Sequence, residues 1–516
     1  MKNKSRTHYS MLNIMTGMGG YAVNTILGIV CRMVFTRTLN ADYLGVTGLF
    51  TNILTMLSLA ELGIGSAIVY SLYKPLATGD NEKVASLVKF FGKCYRIIGF
   101  VVFALGLAIS PFLHFIIKTP PHIHENIYLL YYIYLFNTSF TYFFTYRSSL
   151  ITAAQQNYIV VGLNYIITIS QSVIQIFWLF FTRNYLGYLI IQTIGIIVYN
   201  LTISYIAKKK FPYIVGENIR PLERKEKKGL AKNVKALIIW KLSGLLVNST
   251  DNIIITYFSG LATVGLSSNY TLLSGTLSSL INQIFSGITA SVGNFNAIES
   301  PRKKIDLFYT INFANFWIYG WASIAIAILS NDIVAILFGN SYVLNWEISL
   351  IISINFFMVG KQNAVWTFKN TMGLFRPGRY LLILTAAINL GCSLWLGTIW
   401  GLFGILLATA ISRLFTNTWY DPYAVFKYGL KTKVSSYYKK YAFYVIVMAV
   451  VGSVCYLLCS IIRLDIVVSI ILKLLVCSFV PNLMFIIIFR NRMEYKQLRI
   501  RAKQVVVSSI SKIKKK

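Results

Sequence analysis

Acidic side chains are scarce in this chain. Its 516 residues include 16 Asp and Glu against 49 Lys and Arg, and charged residues of both signs make up only 13%. An enzyme built on paired carboxylates has little to draw on here. Histidine is scarcer still, at four. His122 and His124 share a PPHIH stretch, the one place where two imidazoles approach metal-ligand spacing. The six cysteines, Cys31, Cys94, Cys392, Cys455, Cys459 and Cys477, show no such spacing and lie in or beside apolar runs. They read as buried thiols, not as a metal or disulfide framework. No GxxxxGK[ST] stretch is present, so the phosphate cradle of a nucleotide hydrolase is missing. No cofactor and no metal are expected.

What the chain has in place of charge is length without charge. It is 56% hydrophobic, with a mean hydropathy of +0.63. Windows long enough to cross a bilayer fall near 11–36, 44–70, 97–117, 126–146, 158–181, 186–207, 236–258, 262–292, 307–329, 344–366, 380–397, 400–420, 441–462 and 466–489. These runs do not alternate as strands would, and a helix satisfies its own backbone in lipid. The expected fold class is an all-α polytopic membrane protein with fourteen transmembrane helices. The opening MKNKSR mimics a signal peptide. The apolar run after it is long and no A-x-A site follows, so it is expected to be the first membrane helix.

A net charge of +33 raises the possibility of nucleic acid, and the placement of the charges argues against it. With the N-terminus inside, only Arg37, Lys118, Arg183 and Arg463 fall on outward segments. Arg32, Lys241 and Lys473 fall within spans, and the other 42 of the 49 cations fall on inward segments, counting Lys361 and Arg413 at the inner ends of their windows with the segments 361–379 and 413–440. That bias is the positive-inside pattern, with both termini cytoplasmic and anionic lipid as the partner of the basic loops. The expected outward loops are short, leaving no room for an external catalytic domain.

The chain also repeats itself. ADYLGVTGLFTNIL (41–54) resembles ATVGLSSNYTLL (262–273), with Gly45 matching Gly265. GDNEKVASLVKFF (79–91) resembles ESPRKKIDLFYT (299–310) at the same offset, about 220 residues. The expected organisation is an N-lobe of six spans (1–207), a basic cytoplasmic linker (208–235), a C-lobe of six spans (236–420), two additional spans (421–489) and a basic tail (490–516). Spans 1 and 7 run the same way, which relates the lobes by an axis along the membrane normal. Asp80 is a candidate helix N-cap, with Val84, Leu87, Val88 and Phe91 on one apolar face. Ser300-Pro301 is an N-cap and first-turn pair. Both segments are expected to lie as helices on the inner surface.

Polar residues recur at helical spacing inside the spans. The stripes are Thr51, Thr55, Ser58 and Glu61; Asn157, Asn164, Thr168, Gln171 and Gln175; Lys241, Gly244, Asn248, Asp251 and Asn252; and Thr271, Gly275, Ser278, Asn282 and Ser286. Such faces turn to other helices or to water. Ser, Thr and Gly suit close helix packing, whereas ionisable groups need a partner or a wet cavity. The candidate substrate cavity comprises Arg32, Arg37, Glu61, Lys241, Asn248, Asp251, Asn282 and Lys361. Arg147 and Arg413 are further cations near span ends, where long side chains snorkel. Glu61 and Asp251 are either counter-ions or proton carriers that couple a gradient to transport.

The stretch RMVFTRTLNADYLGVTGLFTNILTMLSLAELGIGSAIVYSLYKPLATGD (32–80) resembles the polysaccharide-transporter family of the multidrug/oligosaccharidyl-lipid/polysaccharide exporter superfamily. More narrowly it is similar to Wzx-type repeat-unit flippases of capsule and exopolysaccharide clusters. LVNSTDNIIITYFSGLATVGLSSNYTLL (246–273) resembles the matching segment of the second half. The resemblance implies two six-helix lobes in a V around a cationic cavity, in the cell membrane. It implies transfer of undecaprenyl-pyrophosphate-linked oligosaccharide from the inner to the outer leaflet by alternating access. Polysaccharide polymerase and glycosyltransferases are the implied protein partners. Lipid II flippases rely on early-helix arginines, and Arg32 occupies such a place only loosely. Two other functions stay open: a multidrug or cation antiporter of the same superfamily, and a membrane enzyme acting on lipid-linked glycan. The first usually keeps an acid in the first helix of a lobe, and span 1 has none. The second needs catalytic groups outside, where only Asp42, Glu125, Asp332, Glu347 and Asp465 stand, scattered over short loops.

Overall fold

The computed structural model describes residues 6–57, 64–118, 121–216, 221–223, 226, 251–374, 377–378, 380–462 and 464–500. Glu61, Lys241 and Asn248 lie outside the described residues. No strand occurs among those described, and nine of their helices are long and apolar enough to cross a membrane. The helices in chain order are α1 (Arg6–Thr38), α2 (Ala41–Leu57), α3 (Ile64–Thr78), α4 (Asn81–Ile109), α5 (Ile127–Ala153), α6 (Asn157–Thr182), α7 (Tyr185–Lys210) and α8 (Asp251–Ile298). They continue with α9 (Pro301–Phe338), α10 (Trp346–Lys361), α11 (Asn363–Thr371), α12 (Leu381–Phe415), α13 (Ser435–Ser460) and α14 (Ile466–Phe489).

Two glycines break helices where the hydropathy profile changes from one span to the next. Gly260 divides α8 at φ 82°, ψ 167°, and Gly401 divides α12 at φ 52°, ψ −129°. A side chain would strain both conformations, so glycine ends one span and opens the next without a longer loop. Gly260 falls between the windows expected to end at 258 and open at 262, and Gly401 falls one residue inside the window expected to open at 400. The last span is found at the expected 466–489. Most of the expected 236–258 span lies outside the described residues.

The chain separates into two compact units, Met1–Gly265 and Leu266–Lys516. In the first, a core forms from Ile68 and Leu72 of α3, Val84, Val88, Phe91 and Tyr95 of α4, Tyr142 and Leu150 of α5, and Ile203 and Ala207 of α7. This corrects one expectation. Asp80 does cap a helix, accepting a hydrogen bond from the Lys83 amide at 2.9 Å. However, that helix runs without a break into the third span, and its Val84–Phe91 face is buried in protein instead of resting on lipid. Ser300-Pro301 likewise opens α9, a 38-residue helix that includes the next span. A buried apolar face continuous with a spanning one gains more from packing than from an interfacial position.

The repeated glycines of the first unit meet. A Cβ on Gly45 would overlap the Leu261 carbonyl, and a Cβ on Gly265 would overlap the Ala41 carbonyl. The same offset that matches Gly45 to Gly265 matches Ala41 to Leu261. The two contacts are therefore reciprocal at the offset that relates the similar segments. The absence of side chains lets the backbones approach closely, as small residues do in membrane helix pairs.

In the second unit, α9 is the centre. Phe308, Phe313, Phe316 and Tyr319 are buried along it. Tyr444 of α13 stacks on Phe316 at 4.3 Å, with Phe485 and Phe489 of α14 at 5.3 and 5.6 Å. Several polar residues in these apolar helices are tied to one another. Lys473 of α14 pairs with Asp332 of α9 at 2.6 Å, and the Trp317 indole donates to Asn482 at 2.7 Å. Asp421, in the short helix Asn417–Ala424, accepts from Lys369 at 2.6 Å and from the Trp366 indole at 3.2 Å. Cys31, Cys455, Cys459 and Cys477 are buried, Cys94 and Cys392 are half-buried, and none is in a disulfide.

Candidate substrate path

Arg32 is half-buried on α1, and Arg37 is exposed near that helix's end. The Arg32 charge acts on the hydroxyls of Tyr134 of α5 and Tyr188 of α7. Around it the hydroxyls of Thr47, Tyr134 and Tyr185 form a triangle with sides of 3.0, 3.1 and 3.2 Å. Tyr188 stacks on Tyr185 at 6.0 Å, and Phe35 meets both rings edge-on. Tyr134 and Tyr185 are buried and their hydroxyls are taken up by one another and by Thr47, so the cluster braces α2, α5 and α7, and the half-buried Arg32 guanidinium is the group able to meet a phosphate. The sequence offered no way to pick these tyrosines from the 34 present, because belt tyrosines carry the same signal.

The PPHIH stretch serves another purpose than metal binding. The His122 amide donates to Asp42 at 2.9 Å, and the His124 amide donates to the Tyr43 hydroxyl at 3.3 Å. Tyr43 in turn donates to Glu125 at 2.5 Å, and Asn40 donates to the His122 carbonyl. The loop is thus bound to the start of α2 by its main chain. Among the described residues no group of three His, Cys, Asp or Glu is placed to hold a metal.

Asp251 is the half-buried first residue of α8. The stripe on α6 packs helices together: Gln171 donates to Gln175 at 3.4 Å, and Gln175 donates to the Tyr188 carbonyl at 3.1 Å. In the second unit the structure brings Asn282 and Lys361 to one face of α9. Asn282 accepts from the Tyr319 hydroxyl at 3.0 Å and from Asn363 at 2.7 Å. Two turns along the same face, the Lys361 ammonium donates to the Asn312 side-chain oxygen. The expectation for Lys361 was a cation on a wet wall. Instead it is 1% exposed and enclosed by α9, α10 and α13, with the Tyr444 and Tyr437 rings 5.4 and 5.7 Å from its ammonium. Asn312, Asn315 and Tyr319 stand at helical spacing within an apolar window, so the stripe rule applied to the other spans would have found them.

A cleft of about 1050 Å³ opens within the second unit between α9, α10, the second half of α12, and α13. Its wall includes Ala327, Leu350, Phe357, Leu407, Val445 and Gly452, and no charged side chain among the described residues lines it. Ser323 and Ser353 on the wall do not offer a free hydroxyl pair, because Ser323 donates to the Ser353 carbonyl at 2.6 Å. The cleft suits a long apolar chain.

Long apolar helices, two of them broken at glycines, define a polytopic all-α membrane fold. Among solved structures the chain is similar to the lipid II flippase MurJ in an inward closed conformation. The TM-score is 0.65 at 14% identity, over 94% of this chain and 99% of that one. It is also similar to an inward-facing multidrug resistance MATE family transporter of the MOP superfamily, with TM-score 0.63 and 13% identity over 83% and 99% of the two chains. A mutant of the Vibrio cholerae MATE transporter VcmN gives 0.53 and 13% over 83% and 98%. No family model matches the sequence. No curated protein matches it either. The fold is therefore the one these structures share, and at such identities the likeness extends to fold alone.

Proposed function

We propose that this chain is a flippase carrying undecaprenyl-pyrophosphate-linked oligosaccharide repeat units from the inner to the outer leaflet by alternating access. It would serve capsule or exopolysaccharide synthesis at the cell membrane, with both termini cytoplasmic and with the polymerase and glycosyltransferases as its neighbours in the process. The observation that carries this reading is the cleft of about 1050 Å³, whose wall has no charged side chain among the described residues and suits a prenyl chain. The likeness to a lipid II flippase supports a lipid-linked glycan, and the likeness to MATE transporters supports transport. Arg32, beside Tyr134 and Tyr188, is the proposed pyrophosphate contact. Arg37, Glu61, Lys241, Asn248 and Asp251 are the remaining candidate lining, Glu61 and Asp251 are the candidate coupling acids, and Asn282 and Lys361 back the wall.

Specific observations weaken the two other functions. Helix α1 contains no acid, which an antiporter of this superfamily would use for its cation. Three of the acids that an external active site would need are occupied in structural ties: Asp42 with His122, Glu125 with Tyr43, and Asp332 with Lys473.

The test is translocation in proteoliposomes of a labelled undecaprenyl-pyrophosphate oligosaccharide, read by a lectin added outside. The wild-type chain is expected to expose the glycan, and Arg32→Ala to slow exposure by about tenfold or more, the loss of one charge-assisted phosphate contact. No exposure of glycan, with ion-driven dye efflux from the same vesicles, overturns the reading in favour of an antiporter. If Glu61 carries the coupling proton, Glu61→Gln abolishes the dependence on a pH gradient.

A further inference from the structure

A small pocket of about 200 Å³ lies where α13 begins and α14 ends, lined by Lys439, Lys440, Phe443, Tyr444, Phe489, Arg492 and Glu494. Its lining residues are far in sequence from every candidate cavity residue and none of its cations lines the cleft described above, although Ile446 beside it also lies on that cleft's wall. Its charges are not equivalent. Lys440 is neutralised by Glu494 and held over the Tyr309 ring at 3.8 Å. Lys439 and Arg492 are exposed, and among the described residues neither has a carboxylate within ion-pairing distance. The Arg492 guanidinium lies 5.4 Å from the Phe443 ring centroid, which holds its planar fork beside the pocket. The pocket thus offers two uncompensated cations over an aromatic floor, with room for one tetrahedral oxyanion.

The surroundings distinguish a lipid phosphate from a soluble one. Lys439, Phe443, Ile446 and Val450 fall on one face of α13, at i, i+4, i+7 and i+11. Ile446 and Val450 are 61% and 52% exposed, so an apolar strip leads from the cations along the spanning helix. A free anion makes no use of such a strip, whereas a phospholipid places its phosphate at the cations and its acyl chains on the strip. The positive-inside pattern puts this end of both helices at the leaflet where anionic lipid is attracted to basic side chains.

We propose that this pocket binds the phosphate of an anionic glycerophospholipid through Lys439 and Arg492, with the acyl chains lying along Phe443, Ile446 and Val450. The proposal does not depend on what the protein transports. The experiment is native mass spectrometry of the full-length chain titrated with phosphatidylglycerol or with phosphatidylcholine of the same acyl chains. The first phosphatidylglycerol adduct is expected to bind more tightly than phosphatidylcholine. Lys439→Gln/Arg492→Gln is expected to weaken it by about thirtyfold, the effect of two interfacial cations. The conservative Lys439→Arg keeps the adduct, and a wild-type thermal melt of the double variant shows that lost binding is not lost folding. Equal binding of the two lipids, or undiminished phosphatidylglycerol binding by the double variant, overturns the proposal. Inorganic phosphate displacing the adduct at millimolar concentration makes this a soluble-anion site and overturns it. Displacement by stoichiometric undecaprenyl phosphate assigns the pocket to the transported lipid and overturns it as well.

Discussion

Replacing Gly45 with alanine forces two backbones apart. The new Cβ would lie 2.6 Å from the Leu261 carbonyl carbon and closer still to its oxygen. Ordinary contact begins near 3.4 Å, so the carbon alone requires the start of α2 and the segment after Gly260 to separate by about 0.8 Å, and the nearer oxygen requires more. Both partners are main chain, and no rotamer change relieves the overlap. Overpacking of this kind costs about 1–3 kcal/mol, and rigid partners place it toward the upper end. Gly265→Ala overlaps the Ala41 carbonyl oxygen about as closely as Gly45→Ala overlaps the Leu261 oxygen, so its cost is expected to be similar. Gly28 and Gly275 supply the control, because a Cβ at either meets nothing within 4 Å. Alanine there is neutral or stabilising by up to about 1 kcal/mol through helix propensity. The assay is reversible unfolding in mixed micelles, with Gly45→Ala expected to be about 2–4 kcal/mol less stable than the Gly28→Ala control. Because one separation relieves both overlaps, Gly45→Ala/Gly265→Ala is expected to cost less than the two single changes together. A Gly45→Ala protein as stable as Gly28→Ala, or strict additivity of the pair, would refute the reciprocal contact.

Two further outcomes follow from charge pairing. Asp421 is 3% exposed, and Asp421→Ala leaves the Lys369 ammonium and the Trp366 indole without their acceptor. A loss of about 3–5 kcal/mol is expected in the same unfolding assay, with Asp421→Ala/Lys369→Met recovering part of it, since the uncompensated charge is then gone. The hydrogen bond from Lys83 holds the Glu226 carboxyl below its usual range. A lowered carboxyl contributes stability above its unfolded pKa, near 4.5, and loses it as pH falls through the lower folded value. The pair is partly exposed, so the effect is under about 1 kcal/mol. Thermal melts between about pH 6 and pH 3 are expected to lose this increment in the wild type and to show none of it in Glu226→Gln.

The spans were readable because lipid leaves few choices. The window at 466–489 coincides with α14, and the turns at Gly260 and Gly401 fall where one apolar run gives way to another. The Asp80 cap was readable because capping is local. The fate of the helix it starts was not. Val84, Leu87, Val88 and Phe91 make the same apolar face whether that face meets lipid headgroups or Tyr142 and Leu150 of α5. The candidate site divides in the same way. Arg32 stood out as a charge inside a span, whereas Tyr134, Tyr185 and Tyr188 became a cluster only when α5 and α7 were placed beside α1 and α2. Lys361 stood out equally, and nothing local could tell a wet wall from an enclosure by Asn312, Tyr437 and Tyr444.

The sequence alone determined that this chain is a bundle of membrane-crossing helices, and it carries two pairs of similar segments at one offset. Backbone hydrogen bonding in lipid admits little else, and a repeat is a property of order along the chain. The tertiary structure decided that the repeated glycines touch reciprocal carbonyls, that the buried lysine is enclosed, and that an uncharged cleft opens beside α13. Each depends on which helix faces which, and that choice rests on side-chain fit between residues tens to hundreds of positions apart, where hydropathy is the same for every partner.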